Sequence, residues 1–370
     1  MKKVLFLIHD LGQGGAEKVL VNLVNHMDRD KFDITVMTLF DCGENRELLS
    51  PHIRCRSFCK KMFRGNSHLM KLLTPRMLHR MIVKEHYDIE VAYLEGPSAR
   101  VISGCEDSET KLISWIHIVQ GSKKKAAASF RSVKEAEKCY QRFDRVVCVS
   151  EAVKEDFAAL LPLKDEPLVI YNTNDTDRIK ALAEETVTEE IFDDGIPCLL
   201  AVGKLLPSKG FHRIIRILRW LLDNGLDAKL ILLGDGAMRC ELERLSEEMG
   251  VRDRVNFLGY QTNPYKYMKM CNLLVCASYA EGFSTAATEA MILGLPVCTV
   301  DVAGMRELLG EDNQYGMITS QDDEALYEGI RTLLVDPALM SHYRQKAIER
   351  SRDFETEITV KEVEELLLSL

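Results

Sequence analysis

Two carboxylates bracket a run of small residues in Glu281-Gly-Phe-Ser-Thr-Ala-Ala-Thr-Glu289, which continues as Ala-Met-Ile-Leu-Gly-Leu-Pro-Val297. Ser284 and Thr285 are good N-caps, and the residues after them read as helix until Gly294 and Pro296 stop it. A helix start carries about half a positive charge and unpaired N–H groups. Gly282, Phe283, Ser284 and Thr285 therefore make a seat for a phosphate. Carboxylates accept hydrogen bonds from paired hydroxyls, so Glu289 suits a ribose diol and Glu281 the hydroxyls of a hexose. Eight helical residues span ~12 Å, about the length of a sugar with its diphosphate linkage. Ala286, Ala287, Ala290, Met291 and Ile292 make this helix apolar nearly all round. It should be buried, and a carboxylate on a buried helix needs a partner.

Other candidate groups sit where strand-like runs meet helical ones. Leu199-Leu-Ala-Val-Gly-Lys-Leu-Leu-Pro-Ser-Lys-Gly210 places Gly203, Lys204 and Lys209 in one short loop. Two fixed cations there would neutralise a diphosphate and the charge that develops as a bond to it breaks. This is not a P-loop, whose Gly-x-x-x-x-Gly-Lys-Ser/Thr pattern is absent. Gly12-Gln-Gly-Gly-Ala-Glu17 follows the first strand, and Gly14 and Gly15 would let backbone N–H groups approach an anion. Glu17 stands where the dinucleotide fingerprint needs Gly or Ala, so a nicotinamide enzyme is disfavoured. Asp235 in Leu232-Leu-Gly-Asp-Gly236 reads as a helix cap sooner than a hydroxyl ligand. His117, closing Trp115-Ile-His117, and Asn172 are weaker candidates, since a lone His at a strand end is more often structural than catalytic.

These loops need strands and helices in βαβ order to hold them. Strand runs at Lys3–Ile8, Phe32–Leu39, Ile89–Leu94, Leu112–Ile116 and Arg145–Val149 alternate with helical stretches such as Ala16–Met27 and Glu151–Leu160. The rhythm lapses between Tyr171 and Ile196 and restarts with strands at Pro197–Val202, Lys229–Leu233, Val255–Leu258, Leu273–Cys276 and Leu295–Val300. The expected fold class is α/β, with two doubly wound, Rossmann-like domains facing across a cleft: 1–172, a linker 173–195, and 196–353. The tail 354–370 contains an amphipathic helix that could return to the first domain.

The chain has 370 residues and a net charge of −9, which argues against nucleic acid as partner. Its 11 cysteines show no Cys-x-x-Cys pair, and the apolar run Val4–Ile8 is too short for a secretory signal, so reduced thiols and a cytoplasmic location are expected. Between Leu48 and Lys84 there is no acidic residue. Arg64, Lys71, Arg76, Arg80 and Lys84 there interleave with leucines and methionines, a pattern suited to an anionic membrane surface or an acceptor, against the plainer reading of a solvated basic helix face. No carboxylate pair or His cluster has ligand spacing, so neither a metal nor another cofactor is expected.

Together these motifs resemble the retaining glycosyltransferases of the GT-B architecture, family 4. The resemblance rests on Glu281-x7-Glu289, Val202-Gly-Lys-Leu with Lys209-Gly, Leu233-Gly-Asp-Gly236, Val149-Ser-Glu151, Tyr171-Asn172 and Gly14-Gly15-Ala-Glu17, and it covers nearly the whole chain. It implies a nucleotide sugar donor, UDP-linked, whose diphosphate lies against Lys204, Lys209 and the amides near Ser284. It further implies a ribose on Glu289, a hexose near Glu281 and Gly282–Ser284, and His117 beside the transferring sugar. Gly14 and Gly15 would approach the diphosphate or acceptor, and Asn172 would belong to the donor site. Many members carry Gly-Arg-Leu where this chain has Gly203-Lys204-Leu205, which keeps the charge and loses the bidentate fork. The implied reaction moves a hexose or N-acetylhexosamine to a glycan or lipid-linked acceptor, with retention and without metal. The competing functions are a nucleotide-sugar epimerase of the same build and a non-catalytic partner of another transferase.

Overall fold

A computed structural model describes every residue except 63, 64, 193 and 194. The chain divides into two compact units, Met1–Asn174 with Thr356–Leu370, and Asp175–Glu355. The segment 173–195, expected as a linker, holds the helix Thr176–Ala183, which belongs to the second unit.

The first unit is built on a parallel seven-stranded sheet in the order β3-β2-β1-β4-β5-β6-β7. Its strands are β1 (Lys2–Ile8), β2 (Phe32–Phe40), β3 (Arg54–Cys59), β4 (Ile89–Ala92), β5 (Lys111–Ile116), β6 (Arg145–Cys148) and β7 (Leu168–Val169). β1 is apolar and buried over Val4–Ile8, as a strand covered on both faces requires, and β4 is buried throughout, with Glu90 its one charged residue. β3 lies inside the basic window and corrects its reading as a single helical face. The window opens with an edge strand whose Arg54 pairs with Asp33 at 2.9 Å and whose Arg56 pairs with Glu85 at 2.5 Å. The helix Thr356–Ser369 completes this unit: Lys2 Nζ donates to the Leu367 carbonyl (2.9 Å), and the Asp28 amide donates to Glu364 Oε1 (2.6 Å).

The second unit is a parallel six-stranded sheet in the order β10-β9-β8-β11-β12-β13. Its strands are β8 (Cys198–Val202), β9 (Lys229–Leu233), β10 (Val255–Gly259), β11 (Leu273–Cys276), β12 (Val297–Val300) and β13 (Met317–Thr319). The winding reverses between β8 and β11, which are hydrogen-bonded neighbours. A parallel sheet leaves a crevice at such a reversal, outside the carboxyl ends of its strands. The loops leaving β8 and β11 carry Lys204, Lys209 and Glu281, so topology alone brings them side by side.

Candidate active site

Backbone contacts fix the loop after β8. The Gly203 amide donates to the Leu233 carbonyl, the Leu205 amide to the Asp235 carbonyl (both 2.9 Å), and the Met238 amide to the Leu205 carbonyl (3.0 Å). Gly234 sits at φ +138°, and a Cβ there would overlap the Gly203 carbonyl. The Leu233-Gly-Asp-Gly motif thus braces the lysine loop. Asp235 does not cap the following helix, whose N-cap is Met238; its Oδ1 accepts from the Gly236 amide (2.7 Å). The expectation of a helix cap is corrected: a short aspartate next to glycine closes its own turn first.

The loop after β11 is tied to the first loop from both sides. The Tyr279 amide donates to the Ser208 carbonyl (2.8 Å), and Gly210, at φ +66°, lies so close to the Ala277 carbonyl that any side chain would collide. Arg213 is buried beneath them. Its guanidinium donates to the carbonyls of Ala277 (3.0 Å) and Gln321 (2.6 Å), pairs with Asp323 (2.5 Å), and lies 5.2 Å from the Tyr279 ring. The result is that Lys209 Nζ donates to both oxygens of Glu281, at 2.7 and 2.9 Å, while the Ser278 hydroxyl donates to Glu281 Oε1 at 2.7 Å. Lys204 is exposed and makes no ion pair among the described residues. The two lysines therefore differ: one holds the carboxylate, and the other has its ammonium available. Burial, then the Glu281 charge, push the neighbouring Cys276 thiol up to about 12, with Lys209 acting the other way, so this thiol stays protonated.

The helix Thr285–Ile292 starts as expected: Ser284 is its N-cap, and its Oγ accepts from the Ala287 amide (3.3 Å). The amides of Ser284, Thr285 and Ala286 have no protein acceptor among the described residues. Phe283 is buried with its ring 5.6 Å from Phe354, and Gly304 packs so tightly on the Gly282 carbonyl that a Cβ would overlap it. Glu289 is 4% exposed on the buried side of this helix and accepts from the Tyr265 hydroxyl at 3.1 Å. Burial, then the Glu289 charge, raise the Tyr265 phenol well above its usual range, so it remains a donor. Tyr265, Ser278 and Arg213 were not singled out in the sequence; Tyr265 lies 24 positions from its carboxylate, with no motif joining them.

The remaining candidates belong to the first unit. Gly14 is the N-cap of the helix Gly15–His26, and a Cβ on it would overlap the Glu17 carboxylate. An acid already covers this helix start, which makes it a poorer seat for an anion than the start at Ser284. His117 is buried at the end of β5: its amide donates to Glu95 Oε2 (3.0 Å), its ring stacks at a tilt 5.0 Å from Tyr93, and its Nε2 has no partner among the described residues. Burial drives its pKa down to about 3, so the imidazole is neutral; hydrogen bonding to the Tyr93 backbone works the other way. Burial also raises the Glu95 carboxyl. Asn172 is buried, with no partner for its Oδ1 among the described residues and its carbonyl accepting from Asn174 Nδ2 (3.1 Å).

In the basic window, Arg64 lies outside the described residues. Arg76 and Arg80 of the helix Pro75–Ile82 both pair with Glu106, and Lys84 Nζ donates to the Arg80 carbonyl (2.7 Å). Lys71 lies in the last turn of the short helix Asn66–Leu72, whose Leu69 and Leu72 are 53% and 73% exposed. Arg100, fully buried, donates to the Met70 and Leu73 carbonyls (both 2.7 Å) and grips Glu135 through two nitrogens. No described helix is long and apolar enough to cross a membrane.

Residues 13–178 match the model of Glycosyltransferase Family 4, and residues 183–353 match that of Glycosyl transferases group 1. A Campylobacter jejuni N-acetylgalactosamine-N,N'-diacetylbacillosaminyl-diphospho-undecaprenol 4-alpha-N-acetylgalactosaminyltransferase is 27% identical over 367 residues, 96% of each chain. The Rhizobium meliloti lipopolysaccharide core biosynthesis glycosyltransferase LpsE is 24% identical over 91% of this chain and 90% of its own. Among solved structures, Anabaena HepE in complex with UDP and glucose superposes with a TM-score of 0.81 at 23% identity, over the whole of both chains.

Proposed function

We propose that this chain, a glycosyltransferase of the GT-B fold, moves a hexose or N-acetylhexosamine from a UDP-sugar to a lipid-linked or glycan acceptor in surface polysaccharide synthesis. The observation that carries the reading is the second unit's helix Thr285–Ile292, with uncapped amides at its start, Glu281 clamped by Lys209 before it, and Glu289 buried along it. In this reading Lys204 and the amides of Ser284–Ala286 take the diphosphate. Glu289, steadied by Tyr265, takes the ribose diol. Glu281 reads the hexose, with Lys209 and Ser278 fixing its rotamer. The acceptor oxygen bonds to the anomeric carbon on the face the diphosphate leaves, the bond from that carbon to the phosphate oxygen breaks, and the departing phosphate takes the acceptor's proton. The donor's configuration is thereby retained, and Lys204 with the helix start supplies the positive charge without a metal. The acceptor class comes from the lipid-linked and lipopolysaccharide substrates in the relatives' names. The exposed Leu69 and Leu72 beside Lys71, on a helix anchored through Arg100, support contact with an anionic membrane face.

The test is calorimetric titration of UDP into the full chain, followed by a panel of UDP-sugars with a polyprenyl-diphosphate glycan acceptor. UDP binding that falls at least ~10-fold in Glu289→Ala, corresponding to ~1.4 kcal/mol, is expected, with an α-linked product and unchanged turnover in chelator. UDP binding indifferent to Glu289→Ala and Lys204→Ala would overturn the donor site. An epimer formed from a UDP-sugar alone would overturn transfer.

A further inference from the structure

Glu90 is the second residue of β4, in the interior of the first sheet, and is 2% exposed. A carboxylate so placed needs positive charge or several donors beside it. Two other ligating groups converge on it from different elements. His79, on the helix Pro75–Ile82, has Nε2 at 2.8 Å from Glu90 Oε2. Cys105, 2% exposed, follows the helix Pro97–Ile102. The imidazole nitrogen, a carboxylate oxygen and the thiol sulfur all lie within 4.8 Å of one another. They line the wall of an open cavity of about 430 Å³ bordered by Arg80, Glu106 and Asp107. Nothing in the donor site uses these groups.

The geometry points to a divalent transition-metal site of the zinc class formed by His79 Nε2, Glu90 and Cys105 Sγ, with a fourth position opening to the cavity. Nitrogen, oxygen and sulfur donors at ~2.0–2.3 Å from a tetrahedral zinc stand ~3.5 Å apart. The present spread brackets that spacing, so loading requires the His79–Glu90 contact to open slightly and the sulfur to close in. A thiolate, a carboxylate and a neutral imidazole sum to −2, which a dication cancels in a buried setting where any uncompensated charge is costly. A thiolate with an imidazole selects zinc or cobalt over magnesium or calcium. The plainer alternative is an imidazolium–carboxylate pair with a bystander thiol, which makes the opposite prediction for metal binding. Since the three donors sit on a helix, a strand and a loop, the metal would act as a clamp on the helix Pro75–Ile82 and would take no part in sugar transfer.

The full chain is stripped with chelator and titrated with Co²⁺ under reducing conditions. The expected result is a thiolate-to-cobalt charge-transfer band in the near ultraviolet that saturates at one equivalent and is bleached by Zn²⁺. Cys105→Ser should abolish the band while keeping the far-ultraviolet circular dichroism. His79→Ala should weaken Co²⁺ binding at least ~100-fold, at or beyond the loss typical of removing a supporting partner. The exposed Cys240→Ser should change nothing. As an independent reading, Zn²⁺ should raise the melting temperature of the unmodified chain and fail to do so in Glu90→Gln. Absence of the band, its persistence in Cys105→Ser, or an unchanged zinc shift in Glu90→Gln would overturn the assignment.

Discussion

Replacing Lys209 by Met leaves the Glu281 carboxylate, whose side chain is 13% exposed, with the Ser278 hydroxyl as its partner among the described residues. The lost ammonium is 30% exposed and reaches both carboxylate oxygens. Fully exposed ion pairs are worth ~0.2–1 kcal/mol, and breaking a fully buried one costs ~3–5 kcal/mol. This pair lies between those limits. Discounted for the solvent that reaches the lysine, its coupling should be ~1–2 kcal/mol. For a unit of this size that is ~3–6 °C in melting temperature. The assay is a thermal-unfolding double-mutant cycle with Lys209→Met, Glu281→Gln and the pair, at low salt and without nucleotide. The double variant should regain part of what Lys209→Met loses, because it no longer strands a charge. Strict additivity, within ~0.3 kcal/mol, would refute the view that Lys209 holds Glu281 in the unliganded protein. Repeating the cycle with saturating UDP asks whether the ammonium stays on Glu281 or turns to the diphosphate; in the proposed reading the coupling persists.

Gly304→Ala should cost at least ~2 kcal/mol, since φ +78° and overlap with the Gly282 carbonyl strain the residue, and should weaken UDP binding; calorimetry reads both effects. His117 sets a pH dependence. Below pH ~6.5 the unfolded chain protonates this imidazole while the native one stays neutral down to about 3, so stability falls as pH drops through that window. At pH 5 the loss is ~2 kcal/mol, and His117→Gln should remove it from the pH profile of unfolding. Arg100→Met should cost ~3 kcal/mol by releasing two carbonyls and leaving Glu135 with the Arg131 amide in place of a guanidinium, and hydrogen exchange over 66–73 should quicken.

The βαβ rhythm was legible because buried parallel strands are short apolar runs. Lys229–Leu233 and Leu273–Cys276 form over the residues expected, and Ser284 caps its helix through a purely local preference. β3 was hidden because its alternating arginines face partners, Asp33 and Glu85, that only the folded sheet supplies. β7 and β13 are too short, at 2 and 3 residues, to show a period. The motifs pointed to candidate residues without their pairings. Lys209 meets Glu281 across 72 positions because β8 and β11 are neighbours, and Asp235 turns back on its own loop. His79, Glu90 and Cys105 form no spacing pattern, since three unrelated elements deliver them.

The helix Thr356–Ser369 has a consequence for biosynthesis. It docks on the strand that begins the chain, so the early half cannot finish folding until translation passes the segment Asp175–Glu355. At ~5–20 residues per second that delay is roughly 10–40 s. During it the later half, contiguous in sequence, can fold on its own schedule, while the nascent early half lacks the apolar cover that Val360, Val363, Leu366 and Leu367 supply.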